Sequence, residues 1–291
     1  MAAPAVATPK RDMKDWQTTA ASWWCPGCGD FGVLAALQRA LATLGYANEE
    51  VCVVSGIGCS GKISGYVKSY AYHSLHGRAL PPAQAIKMAN KDLKVIAVGG
   101  DGDGYGIGAG HFVHAARRNI DFTYIVMDNE IYGLTTGQAS PTSLEGHVTK
   151  STPFGVTEAP LNPVALSLAA GASFVARAFS GDVKNLEEIL TQAIQHKGFA
   201  HVDVFSPCVT FNKLNTYTWF KERVYNIQTE GHDTSDLGAA TQRALEWGDR
   251  IPYGVFYKAE RPTYESREKP LQRHGHVTDS RPVADLSLIH I

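Results

Sequence analysis

Apolar residues along this chain alternate between short continuous runs and longer stretches with helical spacing. Val51–Ser55, Lys94–Gly99, Phe122–Met127, Phe174–Ala178 and His201–Phe205 are short, apolar and rich in β-branched residues, so they are expected to be buried strands. Between them lie segments with a helical period. Phe31, Leu34, Leu37, Leu41 and Leu44 mark a helix that Asp30 is expected to cap and Gly45 to stop, and further helices are expected over 82–90, 104–118, 161–171 and 183–196. The alternation predicts an α/β fold: an open, mostly parallel sheet with helices on both faces.

The periodicity fails in three places. Residues 1–15 are Ala/Pro-rich and then charged, and are expected to be a disordered tail; the α/β domain then spans 16–208. Residues 132–160 form a long polar loop with Thr135, Thr136, Gln138, Ser140, Pro141 and Thr142, the kind of loop that serves as a lid or an interface. From Val209 aromatic and charged residues mix without a clear period, so 209–285 is expected to be an irregular C-terminal arm packed on a partner. The last six residues, Leu286–Ile291, match a translated sequencing-library adapter and are expected to be non-native.

The glycine-rich run Gly100-Asp101-Gly102-Asp103 follows the strand at 94–99, and Asn129 ends the strand at 122–127. Parallel strands joined by a crossover are neighbours, so a carboxylate and an amide oxygen are brought together where they can share one hard cation. Bare glycine backbone lets amides approach a phosphate, and Mg²⁺ reconciles that phosphate with the acidic side chains. Gly104-x-Gly106-x-x-Ala109 also fits a dinucleotide fingerprint, and a structural glycine turn is the plainest alternative. Neither of these gives a role to both Asp101 and Asp103.

Of the five cysteines, Cys52 lies inside a strand and reads as a packing residue, whereas Cys25, Cys28, Cys59 and Cys208 sit beside glycine or proline at turns. Cys25-Pro-Gly-Cys28 alone suits zinc or a redox pair. Four thiols collected from separate turns suit a [4Fe–4S] cluster, with Trp23, Trp24 and Pro207 expected to shield it.

Composition changes the picture only by exclusion. In 291 residues with 44% hydrophobic content and a net charge of −1, no clustered basic excess predicts a nucleic-acid or membrane surface. No signal peptide or apolar span stands out, and a cytoplasmic location is expected.

The Gly-Asp-Gly run followed by Asn129 resembles the thiamine diphosphate signature. With Cys25-Pro-Gly-Cys28-Gly29, Gly56-Ile-Gly-Cys-Ser-Gly-Lys62, His73-Ser-Leu-His-Gly-Arg-Ala-Leu-Pro81 and Gly100-Asp-Gly-Asp103, the chain over roughly 16–216 resembles the β subunit of 2-oxoacid:ferredoxin oxidoreductases, most of all the 2-oxoglutarate type. The resemblance implies the thiamine diphosphate-binding (diphosphate-domain) fold, with Mg²⁺ held by Asp101, Asn129 and the carbonyl of Ile131. It implies cofactor contacts from Ile57, Gly58, Cys59, Ser60, His76, Gly102, Asp103, Gly133 and Leu134, and cluster ligands Cys25, Cys28, Cys59 and Cys208. It gives His76 a role at the substrate carbonyl or the diphosphate, and sets Lys62 toward the distal carboxylate of a dicarboxylic 2-oxoacid. The bland alternatives are a structural histidine and a solvated lysine.

The implied reaction is the reversible oxidative decarboxylation of 2-oxoglutarate with coenzyme A to succinyl-CoA and CO₂, with electrons leaving through the cluster to ferredoxin. The glutamate that activates thiamine is expected from a separate α subunit, which would bear the pyrimidine-binding domain. A pyruvate or broad-range 2-oxoacid enzyme is the nearest alternative, and an iron–sulfur electron-transfer subunit without thiamine is the non-enzymatic one.

Overall fold

The computed structural model describes residues 11–268. In chain order the helices and strands are α1 (Asp30–Leu44), β1 (Val51–Ser55), β2 (Tyr70–His73), α2 (Leu80–Ala89), β3 (Lys94–Gly100), α3 (Ala109–Arg118), β4 (Phe122–Asp128), α4 (Pro163–Ala169) and β5 (Phe174–Phe179). They continue as α5 (Val183–Gln195), β6 (Phe199–Phe205), α6 (Tyr217–Lys221), β7 (Val224–Asn226), α7 (Leu237–Ala244), β8 (Ile251–Lys258) and α8 (Tyr264–Arg267). The strands form one sheet in the order β2-β1-β3-β4-β6-β5-β8-β7, parallel at every pairing except β5 with β8.

Successive side chains of a strand point to opposite faces, and here both faces are covered. Val53, Ile96, Ile125 and Val202 pack with Val33, Leu37 and Leu41 of α1 and Leu186 and Leu190 of α5. Val54, Ala97, Val126 and Val175 face the other way, onto Leu80 of α2, Phe112 and Ala115 of α3 and Val164 of α4. That two-sided burial is why the strand runs read as continuously apolar. Among the described residues no helix is long and apolar enough to cross a membrane.

Several boundaries differ from expectation for physical reasons. The helix expected over 104–118 splits into a π-helical turn, Gly102–Ile107, and α3, with Gly106 out of helical geometry at ψ −107°. Asp30 does not cap α1. Gly29 occupies that position, and the Asp30 carboxylate turns inward to accept from the Ser206 hydroxyl at 2.6 Å. Strand β2 escaped notice because all four of its residues are exposed and carry no burial pattern.

At the boundary of the expected tail and domain, Met13–Trp16 form a 3-10 turn capped reciprocally by Asp12 and Asp15, and Trp16 is fully buried against the α1 layer. Residues 1–10 of the expected tail, 269–285 of the arm and 286–291 lie outside the described residues. The segment after Val209 runs irregularly to Thr216 and then becomes ordered. Phe220 of α6 stacks on Phe205 with ring centroids 4.5 Å apart, and β8 buries Ile251, Val255 and Phe256. Pro252, Gly254 at φ +126° and the shifted register at Val175/Ala176 disguised β8 as a loop.

Trp16→Ala is expected to destabilise the protein by about 3–5 kcal/mol, since it empties a fully buried indole site. Chemical denaturation of the two proteins checks this, and a loss below about 1 kcal/mol would mean that the turn does not hold the core.

Candidate active site at the carboxyl ends of the strands

A cavity of about 570 Å³ opens beyond the carboxyl ends of β1, β3 and β4. That is where ligands sit in open α/β sheets, and the volume suits a small cofactor. Its walls include Ile57, Gly58, Cys59, Ser60, His76, Gly102, Asp103, Gly133 and Leu134, the whole set of cofactor positions expected from the resemblance. Asp101, Asn129 and Ile131 line it too.

One carboxylate oxygen assembles these walls. Asp103 Oδ1 accepts from the backbone N–H of Ile57 at 2.9 Å, the backbone N–H of Gly77 at 2.7 Å and His76 Nδ1 at 2.9 Å. Three turns, after β1, before α2 and after β3, are thereby tied to one atom. With Nδ1 donating to Asp103, His76 keeps Nε2 for a ligand, and its side chain remains partly open to solvent.

The acidic side of the cavity is linked through Thr142. Its Oγ1 lies 2.9 Å from Asp101 Oδ2 and 2.8 Å from Asp128 Oδ1. One hydroxyl hydrogen cannot serve two carboxylates, so the Asp128 carboxyl must itself hold a proton when Thr142 donates to Asp101. Burial pushes Asp128 well above the ordinary carboxylate range, and the charges of Asp101, Asp203 and Glu130 push it further. Burial also raises Asp101, to about 6, against hydrogen bonds from Ser140 and Thr142 that favour its charged form. Asn129 Oδ1 accepts from the Ile131 N–H at 3.2 Å, and Glu130 between them is held at φ +55°. Asp101 and Asn129 both line the cavity, and a carboxylate with an amide oxygen is a donor set that fits Mg²⁺.

Sequence reasoning flagged the loop that carries Thr142 without seeing this bridge, and it missed Tyr132. The Tyr132 hydroxyl donates to the Gly102 carbonyl at 3.0 Å. A Cβ on Gly102 would stand 2.2 Å from the Tyr132 ring, so glycine is required at that approach. Gly100, Thr135 and Gln138 also line the cavity beyond the expected set. Lys62 does not. It lies in the 3-10 turn Ser60–Gly65 with its ammonium 5.8 Å from the ring centroid of Trp23. Arg78 donates to the carbonyls of Gly77 and Ile107 and likewise lies off the wall.

Of the four turn cysteines, Cys59 lines the same cavity, and the turns that carry the other three are tied to its turn. The Cys28 N–H donates to the Cys25 carbonyl at 3.0 Å, closing the first turn, and Gly29 N–H donates to the Pro207 carbonyl at 3.1 Å, binding that turn to the one bearing Cys208. Gly29 has no room for a side chain, because a Cβ there would be 2.6 Å from the Ser206 carbonyl carbon. The Trp24 indole N–H donates to the Cys59 carbonyl at 2.6 Å, which joins the third turn. A Cβ on Gly133 would lie 3.6 Å from the Cys59 sulfur and 3.7 Å from that of Cys208. Trp24 and Pro207 are buried as expected of shielding residues, whereas Trp23 is 82% exposed. Cys52 is buried in β1, among apolar neighbours of the opposite layer.

Burial, then the Asp30 charge, pushes the Cys28 thiol far up, with Cys208 and Cys59 adding to it; burial and Asp30 raise Cys59 to about 11. These thiols ionise only if positive charge joins them. Among the described residues no three His, Cys, Asp or Glu groups converge closely enough for a single metal ion. Four sulfurs spread over three tied turns fit the broader body of an iron–sulfur cluster.

Residues 56–204 match the family model described as thiamine pyrophosphate enzyme, C-terminal TPP binding domain, and 208–273 match the model for the C-terminal part of the pyruvate ferredoxin oxidoreductase β chain. Together with the cavity this defines a thiamine diphosphate-binding α/β protein. The chain is 48% identical to a 2-oxoacid:ferredoxin oxidoreductase subunit beta of Sulfolobus, over 84% of this chain and 85% of that one. It is 40% identical to the 2-oxoglutarate synthase subunit KorB of Archaeoglobus fulgidus, over 77% of this chain and 85% of that one. The solved 2-oxoglutarate:ferredoxin oxidoreductase of Magnetococcus marinus, which has 2-oxoglutarate, coenzyme A and succinyl-CoA bound, superimposes with a TM-score of 0.91 at 43% identity, covering 97% of each chain. The chain belongs to the β-subunit family of the 2-oxoacid:ferredoxin oxidoreductases.

Gly102→Ala is expected to drive the Tyr132 ring out of the cavity wall, costing about 1–3 kcal/mol of stability and weakening thiamine diphosphate binding. Thermal unfolding and cofactor titration check this; wild-type values in both would show that the wall yields without consequence.

Proposed function

We propose that the chain is the β subunit of a 2-oxoglutarate:ferredoxin oxidoreductase, working with ferredoxin, coenzyme A and an α subunit as partner. The observation that carries this reading is the position of Gly133, which lines the cofactor cavity with the Cys59 and Cys208 sulfurs directly behind it. A cavity for decarboxylation and the thiols behind its Gly133 wall are then parts of one site. Bound thiamine diphosphate supplies the electron sink for breaking the bond to the 2-oxoacid's carboxylate.

The chain's own residues bind and orient around that chemistry. Asp101, Asn129 and Ile131 are the Mg²⁺ ligands in this reading, and Thr142 keeps Asp101 ionised toward the metal while Asp128 holds the proton. His76, aimed by Asp103, offers Nε2 to the diphosphate or the substrate carbonyl. Leu134 and Tyr132 give the cavity apolar wall surface. Cys25, Cys28, Cys59 and Cys208 hold a [4Fe–4S] cluster that carries electrons out one at a time.

Anaerobically purified protein is expected to carry about four irons per protomer. Cys208→Ser should lose most of them and Cys52→Ser none; equal loss in both variants would overturn the ligand assignment.

Substrate choice is tested on the assembled complex with a panel of 2-oxoacids. A charge-assisted hydrogen bond from Lys62 to the distal carboxylate is worth roughly 1.5–3 kcal/mol, so Lys62→Met should raise KM for 2-oxoglutarate about ten- to a hundredfold and leave 2-oxobutyrate turnover nearly unchanged. The second reading is a broad-range 2-oxoacid enzyme. It is favoured by the placement of Lys62 against Trp23, off the cavity wall, and equal effects on both substrates would support it.

A further inference from the structure

Asp30 is a fully buried carboxylate with no part in the chemistry described above. It forms no ion pair among the described residues; the Ser206 hydroxyl and the Cys28 thiol are its side-chain donors, and Oδ2 is left without one. An unpaired buried carboxylate costs several kcal/mol, so a structure keeps one only where it acts on something nearby. It follows Cys28 by two residues and so stands beside the turn that carries Cys25 and Cys28.

Its other oxygen has a different task. Oδ1 accepts from the Ser206 hydroxyl at 2.6 Å, and Ser206 in turn donates its N–H to the Asp128 carbonyl at 2.7 Å. Asp30 therefore anchors the turn of Cys25 and Cys28 to the end of β6, two residues before Cys208. The Gly29 to Pro207 backbone bond runs beside this strut and cannot lengthen far, because Gly29 and Ser206 are already in contact.

We propose that Asp30 is a positioning residue for the iron–sulfur cluster: Oδ1 fixes the spacing of the Cys28 and Cys208 turns, and the carboxylate charge beside the Cys28 turn lowers the cluster's reduction potential. This rests on the cluster reading given above. A fixed negative charge opposes the arrival of each electron, and cluster potentials follow net charge and surroundings of this kind. The strut alone would not select aspartate, since an asparagine oxygen could accept from Ser206 equally well. The charge is what the carboxylate adds.

The test compares Asp30→Asn, Asp30→Ala and Ser206→Ala in the complete complex, purified without oxygen. Iron content and the midpoint potential, from redox titration followed by electron paramagnetic resonance, are the readouts. Asp30→Asn keeps the acceptor and removes the charge, so it should retain wild-type iron with a midpoint potential shifted positive. Asp30→Ala should lose more than half of its iron. Ser206→Ala loses the strut, so its iron should fall below that of Asp30→Asn.

An iron-loaded Asp30→Asn complex with an unchanged potential would overturn the role of the charge. Iron loss in Asp30→Asn as deep as in Asp30→Ala, or full iron in Ser206→Ala, would overturn the division between strut and charge. A wild-type complex without iron would overturn the cluster reading itself, and this proposal with it.

Discussion

The cavity depends on one oxygen, Asp103 Oδ1, where three donors from three separate turns converge. Each of those turns is short of side chains and would otherwise be free to move. A buried carboxylate oxygen is costly to leave unsatisfied, so the three donors and the one acceptor enforce one another. The direction of His76 and the separation of the walls both follow from this. The partner oxygen, Oδ2, is sealed without a donor. Asp103 therefore acts mainly by organising the wall, which is a different task from that of its near neighbour Asp101.

Behind the wall, acidity is concentrated beyond what the protein's own cations balance. Asp101, Asp128, Glu130 and Asp203 are all buried, and Arg177 is the buried cation among them, bound through Nε to Asp203 at 3.2 Å. Burial pushes Glu130 well up, with Asp101 and Asp203 adding and Arg177 opposing. A divalent ion beside Asp101 would relieve that surplus from the cavity side. The π-helical turn is held from the opposite side: the Tyr105 hydroxyl donates to Asp203 at 2.9 Å and lies 2.8 Å from Nε2 of His201, whose imidazole burial keeps neutral. Such turns often occur where a helix has been adjusted for function, and here the adjustment places Gly102 and Asp103 at the cavity.

Much of this was legible in the sequence because the strongest signals are local. Buried parallel strands write themselves as continuous apolar runs, and β1, β3, β4, β5 and β6 were found in that way. The glycine-acid run and the turn cysteines were legible for the same reason: each motif is contiguous. What stayed hidden is long-range. Ser206 meeting Asp30, Thr142 bridging Asp101 and Asp128, and Tyr132 lying over Gly102 join residues that no spacing rule connects. Strand β8 was missed because its partner β5 lies far away in sequence and Pro252 and Gly254 break its pattern, and Trp16 because a single buried indole has no period.

The cofactor cavity and the thiols share structure rather than merely adjoining. Cys59 belongs to the turn whose neighbours Ile57, Gly58 and Ser60 line the cavity, and Gly133 fills the space between that cavity and two sulfurs. The backbone leaves no layer of side chains between them. A Cβ at 133 would come into van der Waals contact with both sulfurs at once. Rigidity at this junction comes from hydrogen bonds of the Trp24 indole and the Gly29 backbone, which fix the turns without adding bulk between them. The fold thus keeps the cofactor cavity and the Cys59 and Cys208 turns at a separation set by main chain, which thermal motion of side chains cannot easily change.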